Sequence, residues 1–382
     1  MNFTTAYMLG QEGSNQGLSM GEGLSEVSNA VNGIQKAMIY GIAAGPKVGK
    51  STFADFVFVI QAYIESIINN TPLEIIYYSF EIDRISKEFD FASHFLMRDH
   101  NIHMIRLPEG VTMKGESTIE MSSNYLRGKL KDDNGEMIKV SDHVDQHLEL
   151  VYRNRLVPLF GEYDEETGKQ ISEGVITFIE QKENPTGIRN YLIEDAKKHG
   201  DFIEETYHNK ATNSTGTKIL GYKPHNDDRF VIVVTDHLRK LKLERGFKMK
   251  ETVDKYIEYS VEIRNWCKYS FIHIIHLNRS MSDMTRLKYA GDMLFPNGDD
   301  IKDTGNLSED ADFLFTMLNP NDERFNLTEH FGWKIRDKAG NPLYPKMRTI
   351  HLVESRHTEF PQHFRVNMVG GTKNFSKVKQ LD

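Results

Sequence analysis

Residues 44–52, Ala-Gly-Pro-Lys-Val-Gly-Lys-Ser-Thr, have the types and the spacing that bind a polyphosphate. They follow an apolar run at 38–43 and lead into a second one at 53–68, which predicts a strand, a turn and a helix in succession. A glycine-bearing turn that opens a helix directs several backbone N–H groups, and the positive end of the helix, at one point. The sequence therefore predicts a site for a nucleoside triphosphate.

The residues of this loop have separate predicted roles. Lys50 reaches the β- and γ-phosphates, the Ser51 hydroxyl ligates Mg²⁺, and Gly49 lets the main chain approach the anion because it has no Cβ. Ala44 stands where the motif usually has glycine. The predicted cofactors are ATP and Mg²⁺. The predicted nucleotide-binding residues are Ala44, Gly45, Pro46, Lys47, Val48, Gly49, Lys50, Ser51 and Thr52.

Hydrolysis needs two further groups near the phosphates, an acid that holds Mg²⁺ and a base that polarises water. Asp236 follows an apolar run and is predicted to be the acid, although a carboxylate after a strand can also simply cap a helix. Glu81 follows the run at 75–79 and is predicted to polarise the attacking water. His276 ends the run at 271–275, and it either senses the state of the γ-phosphate or is a structural histidine.

The elements that must position these residues are predicted from hydrophobic periodicity. Several apolar, β-branched runs are apolar on both faces, as in a sheet covered by helices on each side. The predicted strands span 38–43, 74–79, 175–180, 230–235, 271–276, 312–317 and 349–353, and the predicted helices span 53–69, 186–199 and 251–268. Alternation of strand and helix predicts an α/β fold with a mainly parallel sheet flanked by helices.

The remaining segments define the predicted domain organisation. Residues 1–23 are rich in Gly, Ser, Asn and Gln and are predicted to be a flexible arm, followed by one domain over 24–382. The pattern loosens at about 101–170, where hairpin turns at 133–135 and 166–168 predict a β-rich or mixed insertion. A last hairpin is predicted around 338–342, between strands at 332–336 and 344–353.

The composition predicts a soluble, folded, cytoplasmic protein. Cys267 is the single cysteine, so no intrachain disulfide can form, and the N-terminus lacks an export signal. The run at 53–68 is interrupted by charged and polar residues, so no membrane span is predicted. The net charge of −8 argues against a protein coated in nucleic acid. The basic segment at 239–250 is either a local channel for nucleic acid or a solvated loop.

Taken in order, these segments resemble the ATPase domain of the DnaB-type replicative hexameric helicases, a branch of the RecA-like ATPases. The lead-in Gly33-Ile34-Gln35-Lys36 and the phosphate loop with its proline are similar to those of the family. Tyr78-Ser79-Phe80-Glu81-Ile82 resembles the strand with the catalytic glutamate, and Asp236-His237-Leu238 resembles the segment of the Mg²⁺-associated aspartate. Leu277-Asn278-Arg279 and the string DIKDTGNLSEDAD at 300–312 complete the match, and this string is its most specific part.

The resemblance implies a RecA-like P-loop NTPase core and an ATP-dependent DNA helicase. Lys50 and Ser51 would act on the phosphates and Mg²⁺. Asp236 would act on the metal, and Glu81 would be the general base. Arg356 would be an arginine finger that reaches the nucleotide of a neighbouring subunit in a hexameric ring.

The resemblance also implies partners. In that family single-stranded DNA threads the ring and touches loops that correspond here to 239–250 and 280–298. The family's N-terminal helical domain, which meets primase, has no counterpart in this sequence. We therefore expect a phage-type version in a bacterial cytoplasm or an infected host, with a primase or a loader as partner. The implied DNA-binding residues are Arg239, Lys240, Lys242, Arg245, Lys248, Lys250 and Arg279.

Two residues depart from the family pattern. His276 replaces a glutamine sensor and is expected to make coupling sensitive to pH, and Glu354 replaces a lysine two residues before Arg356. Two alternatives stay open. One is a RecA-like DNA-dependent ATPase that does not unwind duplex, and the other is a nucleotide-binding scaffold or switch module.

Overall fold

The computed structural model describes residues 17–164, 166–209, 214–278, 284–301 and 306–380. Its centre is a nine-stranded mixed sheet with the order β9-β8-β7-β6-β1-β5-β4-β2-β3. In chain order the strands are β1 (Ile39–Ala44), β2 (Leu73–Ser79), β3 (Ile176–Ile179), β4 (Phe230–Asp236), β5 (Ser270–His276), β6 (Phe313–Leu318), β7 (Met347–Ser355), β8 (Gln362–Val369) and β9 (Asn374–Lys377).

The sheet has a parallel part and an antiparallel part. Strands β6, β1, β5, β4, β2 and β3 run parallel, whereas β7, β8 and β9 are antiparallel to their neighbours. β1, β4 and β6 are buried along their whole length. In β1, Tyr40 and Ile42 belong to one apolar cluster, and Ile39 and Ala43 belong to another on the opposite face. Burial on both faces explains why these strands read as continuous apolar runs.

Helices cover both faces of the sheet. They are α1 (Ser25–Val31), α2 (Lys50–Ile68), α3 (Arg84–His100), α4 (Ser123–Leu126), α5 (142–160), α6 (Pro185–His199), α7 (Met249–Cys267), α8 (Met284–Ala290) and α9 (Asn306–Asp310). α6 begins after Asn184, whose side chain accepts a hydrogen bond from the Gly187 N–H, with Pro185 in the first position. α2 is long and apolar enough to cross a membrane, but most of it is buried within the fold. It is a core helix, and its middle part, Asp55–Gln61, is π-helical.

The structure confirms the predicted α/β class and the mainly parallel sheet. The predicted strands correspond to β1 through β7, and the predicted helices correspond to α2, α6 and α7. The predicted turn at 338–342 is present, since Arg336 bridges Pro342 and the Leu343 N–H donates to the Ile335 carbonyl oxygen. The predicted strand that follows this turn does not pair back across it, because β7 pairs with β6 and β8. Sequence analysis does not predict β8 and β9, because these two strands at the antiparallel end of the sheet alternate polar and apolar residues and are only half-buried.

The N-terminal segment also differs from its prediction. Leu18 pairs with Ile34, and Met20 is fully buried, so the chain is part of the core from residue 17 onward and not a free arm to residue 23. Residues 1–16 lie outside the described residues.

Segment 101–170 contains both helices and short hairpins. Met104–Arg106 pairs with Thr118–Glu120, and Glu162–Tyr163 pairs with Gln170–Ser172 around the turn predicted at 166–168. α4 and α5 lie between these hairpins, and their apolar residues join the same cluster as those of α3. The secondary structure of this segment is therefore mixed. A longer hairpin that sequence analysis does not predict joins Gly200–Asn209 to Ser214–Pro224.

Candidate nucleotide site

The register of the parallel strands brings the predicted site residues to one edge of the sheet. Ala44 at the end of β1 lies opposite His276 on β5, and Asp236 at the end of β4 lies opposite Ser79 on β2. β1, β5, β4 and β2 are neighbours in the sheet. The phosphate loop and the residues that follow the other strands therefore share the carboxyl edge, where open α/β sheets bind ligands.

The loop between β1 and α2 has the backbone shape that phosphate binding requires. Gly49 has a φ of 116° and Lys47 has a φ of 60°, both in the left-handed region. A Cβ on Gly49 would lie 2.2 Å from the Met368 sulfur, so both the backbone conformation and the close approach favour glycine. α2 begins at Lys50 directly after this turn. The N–H groups of its first turn therefore face the end of the loop and can bind phosphate oxygens.

Ser51 and Asp236 form an oxygen pair suited to Mg²⁺. The Ser51 hydroxyl donates a hydrogen bond to Asp236 Oδ1 at 3.2 Å. Asp236 is only 2% exposed, so its carboxylate is buried at the site. Hydroxyl and carboxylate oxygens are the hard ligands that Mg²⁺ takes together with substrate phosphates. The residues present therefore fit the predicted ion.

Lys50 supplies positive charge beside this pair. Burial lowers the pKa of the Lys50 ammonium group, and the charges of Asp236 and Glu81 raise it in part. The ammonium group thus lies within electrostatic range of both acids. A cation near two carboxylates at the start of a helix can attract the β- and γ-phosphates of a nucleotide.

Glu81 is held by two basic side chains. His237 Nε2 donates a hydrogen bond to Glu81 Oε1 at 3.2 Å, and Lys240 Nζ lies 3.4 Å from the same oxygen. Partial burial raises the pKa of Glu81, but His237, Lys240 and Lys50 outweigh this effect, so the pKa lies below its ordinary value. Glu81 is therefore ionised at neutral pH, as a general base must be.

His237 contacts the candidate base, and sequence analysis assigns it no role. Its Nδ1 accepts a hydrogen bond from the Arg239 backbone N–H at 3.3 Å. Because a carboxylate can only accept, the Nε2 that faces Glu81 carries the proton. Burial lowers the pKa of His237, which favours this neutral form. His237 thus acts as a neutral donor that fixes Glu81.

His276 packs against His237, with the ring centroids 4.6 Å apart. Burial, together with the charge of Lys50, lowers the pKa of His276 to about 4. The prediction that His276 makes the site sensitive to pH is therefore wrong for the range near neutrality. The imidazole is already neutral there because its environment is partly desolvated and positively charged.

We expect the rate of nucleotide hydrolysis at this site to be flat between about pH 6 and pH 8, since Glu81 and His276 do not change charge in that range and burial also favours the neutral form of His237. Glu81 has a lowered pKa and stays ionised, and His276, with a pKa of about 4, stays neutral. Phosphate release measured at constant ionic strength tests this expectation. A rate change centred near pH 6.5 that disappears in His276→Gln would contradict it.

Arg356 lies at the opposite edge of the sheet from the phosphate loop. It follows β7, whose last residue, Ser355, pairs with the start of β6. The guanidinium donates a hydrogen bond to the Glu309 carbonyl oxygen and lies 3.7 Å from Asp310 Oδ1. Burial raises the pKa of Glu354 beside it. The structure therefore does not bring Arg356 to the phosphate loop of its own chain.

The basic segment at 239–250 begins next to Asp236 and ends in α7. It forms a 3₁₀ turn at Leu238–Lys240 and then a loop. Lys240 is turned toward Glu81, and Arg239 is half-buried. Arg279, the other implied DNA-binding residue, lies outside the described residues. The exposed cations of the segment are Lys242, Arg245, Lys248 and Lys250.

Two cations beside the site carry no signal in the sequence. Arg348 on β7 donates a hydrogen bond from Nε to the Val48 carbonyl oxygen of the phosphate loop at 3.1 Å. Lys87 on α3 has its Nζ 3.8 Å from Asp236 Oδ2. Each is distant in sequence from the residue that it contacts, so no local motif marks it.

Comparison with known proteins identifies the fold. No protein-family model matches the sequence, and no curated protein matches it. One solved ATPase domain aligns with 98% of this chain and 97% of its own length, with a TM-score of 0.62 and 12% sequence identity. A DnaB-like replicative helicase, solved with its interactions with primase, aligns with 98% of this chain and 67% of its own length, also with a TM-score of 0.62 and 12% identity. The chain therefore has the fold of DnaB-like helicase ATPase domains, which confirms the predicted RecA-like core.

Proposed function

We propose that this chain is an ATP-driven DNA helicase of the DnaB-like type, which hydrolyses ATP between the subunits of a ring and moves along single-stranded DNA. The observation that carries the proposal is that Lys50, Ser51, Asp236 and Glu81 come from three separate segments of the chain and meet at one edge of the sheet. The similarity of the fold to the solved ATPase domain and to the DnaB-like helicase supports the same function.

The site residues have separate roles in the proposed hydrolysis. The loop N–H groups and Lys50 hold the β- and γ-phosphates and offset the charge that develops on them. Ser51 and Asp236 hold Mg²⁺, which when bound neutralises phosphate charge. Glu81 accepts a proton from the attacking water. His237 and Lys240 both contact Oε1 of Glu81, which leaves Oε2 for the water.

The position of Arg356 supports a site shared between subunits. Its side chain is half-exposed at the edge opposite to the phosphate loop, so any nucleotide that it contacts would belong to another subunit. A guanidinium inserted there would stabilise charge in the transition state, as arginine fingers do. We therefore include a hexameric ring in the proposal. A primase or loader as partner, and a bacterial or phage-infected cytoplasm as location, rest on the resemblance of the sequence alone.

Lys240 supports a direct link between DNA and hydrolysis. It belongs to the basic segment at 239–250, and its Nζ lies 3.4 Å from Glu81 Oε1. Phosphates of a DNA strand bound by this segment would compete for the same ammonium group that holds the base. DNA binding would in this way change the orientation of Glu81 and the rate of hydrolysis.

The test is ATP hydrolysis with and without single-stranded DNA, followed by unwinding of a forked duplex. We expect DNA to stimulate phosphate release several-fold and ATP to drive strand separation, since the proposed DNA contact adjoins the base. Stimulated hydrolysis without unwinding, over a range of salt and protein concentrations, would favour a RecA-like ATPase. Hydrolysis that does not respond to DNA would favour a nucleotide-binding scaffold.

Matched charge variants identify the DNA-binding segment. The triple variant K242A/R245A/K248A removes three exposed cations of the basic segment, and K129A/K131A/K139A removes the same charge from segment 101–170. We expect the first variant to bind single-stranded DNA more weakly and with a salt slope smaller by about two, because each lost phosphate contact removes about 0.7 from the slope. Equal effects of both variants would show that binding is not localised to 239–250.

A further inference from the structure

We propose that Lys87 is the resident counter-ion of Asp236, a positioning residue that holds this carboxylate between rounds of nucleotide binding and keeps the site from binding a divalent cation without nucleotide. The inference rests on the proposed function only in taking Asp236 as the Mg²⁺-associated acid. Lys87 lies on α3, the helix after Glu81, in a stretch where the sequence contains no recognised motif.

The ammonium group of Lys87 is fully buried, and its N–H donors have acceptors on Asp55 and Tyr77. Lys87 Nζ lies 2.8 Å and 2.7 Å from the two carboxylate oxygens of Asp55, and 2.8 Å from the Tyr77 hydroxyl. Asp55 and Lys87 are both 0% exposed. The Tyr77 hydroxyl in turn donates to Asp55 Oδ1 at 2.8 Å. The ammonium group is therefore locked in place, since an ion buried in this way is stable only when every partner is satisfied.

Asp236 lies on the other side of the same ammonium group. Its Oδ2 is 3.8 Å from Lys87 Nζ, whereas its Oδ1 accepts the hydrogen bond of Ser51. The two oxygens of Asp236 thus face different partners, a fixed cation and a ligand hydroxyl. Because the donors of Lys87 are directed to Asp55 and Tyr77, its attraction for Asp236 is electrostatic and does not require a hydrogen bond.

Asp55 is paired with a second ammonium group, so it does not by itself neutralise Lys87. Asp55 is shared with a second cation, Lys373, whose Nζ lies 3.2 Å from Asp55 Oδ2 and 3.2 Å from Asp90 Oδ2. Burial raises the pKa of Asp55, but Lys87 and Lys373 outweigh it and lower the pKa overall. Asp55 is therefore an ionised group between two ammonium groups. Part of the positive charge of Lys87 is left to act on Asp236.

The charge of Lys87 opposes the binding of a divalent cation at Asp236. In the absence of metal, the ammonium group of Lys87 offsets the charge of Asp236 at 3.8 Å and holds the carboxylate in position. A divalent cation that entered beside Asp236 would meet the ammonium group at short range in a buried environment, where repulsion is weakly screened. The phosphates of a nucleotide add the negative charge that offsets this repulsion. Lys87 thus makes metal binding depend on nucleotide binding.

The experiment measures Mn²⁺ binding to the nucleotide-free full chain by electron paramagnetic resonance, with Mn²⁺ as the reporter for Mg²⁺. D55N/K87M removes one acid and the proposed counter-ion, and the matched control D55N/K373M removes the same acid and the other cation. We expect D55N/K87M to bind Mn²⁺ at least about tenfold more tightly than the wild type, because a repelling charge is gone. The control should not gain affinity. Similar Mn²⁺ affinities in the two double variants would overturn the proposal.

Two further measurements keep the result decisive. Circular dichroism establishes whether each variant is folded. If D55N/K87M is not folded, Lys87→Gln takes its place, because it removes the charge and keeps a donor for Asp55. Its Mn²⁺ affinity is then compared with that of D55N/K373M. Binding of a fluorescent ATP analogue to the wild type is measured separately. Failure of the wild type to bind nucleotide would count against the proposed function, whereas normal nucleotide binding with unchanged Mn²⁺ affinities would count only against the role of Lys87.

Discussion

We expect Lys50→Ala to lower the rate of ATP hydrolysis by about three orders of magnitude, since even one preorganised donor at a developing charge contributes a factor of about 10² to 10³ and an ammonium group contributes more. Lys50 is 9% exposed and lies within range of Asp236 and Glu81. Its removal leaves these two carboxylates without the cation that offsets the charge of an incoming γ-phosphate. Steady-state phosphate release, with and without single-stranded DNA, measures the loss.

The control for this variant is Lys198→Ala, which removes an exposed lysine from α6. We expect the control to hydrolyse ATP at the wild-type rate, because no site residue lies on that helix. Nucleotide affinity, followed with a fluorescent analogue, should also fall in Lys50→Ala. If hydrolysis stays within a factor of about ten of the wild type, the loop at 44–52 is not the catalytic phosphate site.

We expect Glu81→Gln to slow hydrolysis by a factor of about 10² to 10⁴, the usual contribution of a positioned general base. The glutamine keeps the size of the side chain, and its amide oxygen can still accept the hydrogen bond that His237 donates to Oε1 in the wild type. The shape of the site is therefore preserved while the proton acceptor is lost. Single-turnover experiments should show ATP bound with near wild-type affinity but cleaved slowly.

Glu136→Gln is the matched control, since it neutralises an exposed glutamate in segment 101–170. We expect it to cleave ATP at the wild-type rate. A Glu81→Gln variant that cleaves ATP as fast as this control would show that another group polarises the water. A Glu81→Gln variant that loses nucleotide affinity instead would show that the ionised carboxylate serves to position Lys50 rather than to accept a proton.

The phosphate loop and the strand pattern by themselves determined the fold class and the edge of the sheet where the site lies. A parallel strand that is buried on both faces must be apolar at successive positions, so β1, β4 and β6 can be identified from their continuous apolar runs in the sequence. The loop at 44–52 is contiguous, so its chemistry is also local. The end of each strand then indicated Glu81, Asp236 and His276, because parallel strands place their carboxyl ends at one edge.

Only the tertiary structure decided which side chains surround those motifs. Lys87 meets Asp55 across 32 residues of sequence, and Arg348 meets the Val48 carbonyl across 300. The neutral state of His276, with a pKa of about 4, and the antiparallel strands β8 and β9 likewise depend on packing. Periodicity and turn chemistry act over a few residues of chain. Desolvation and Coulomb interaction depend on distance in space, so they are set only when the chain is folded.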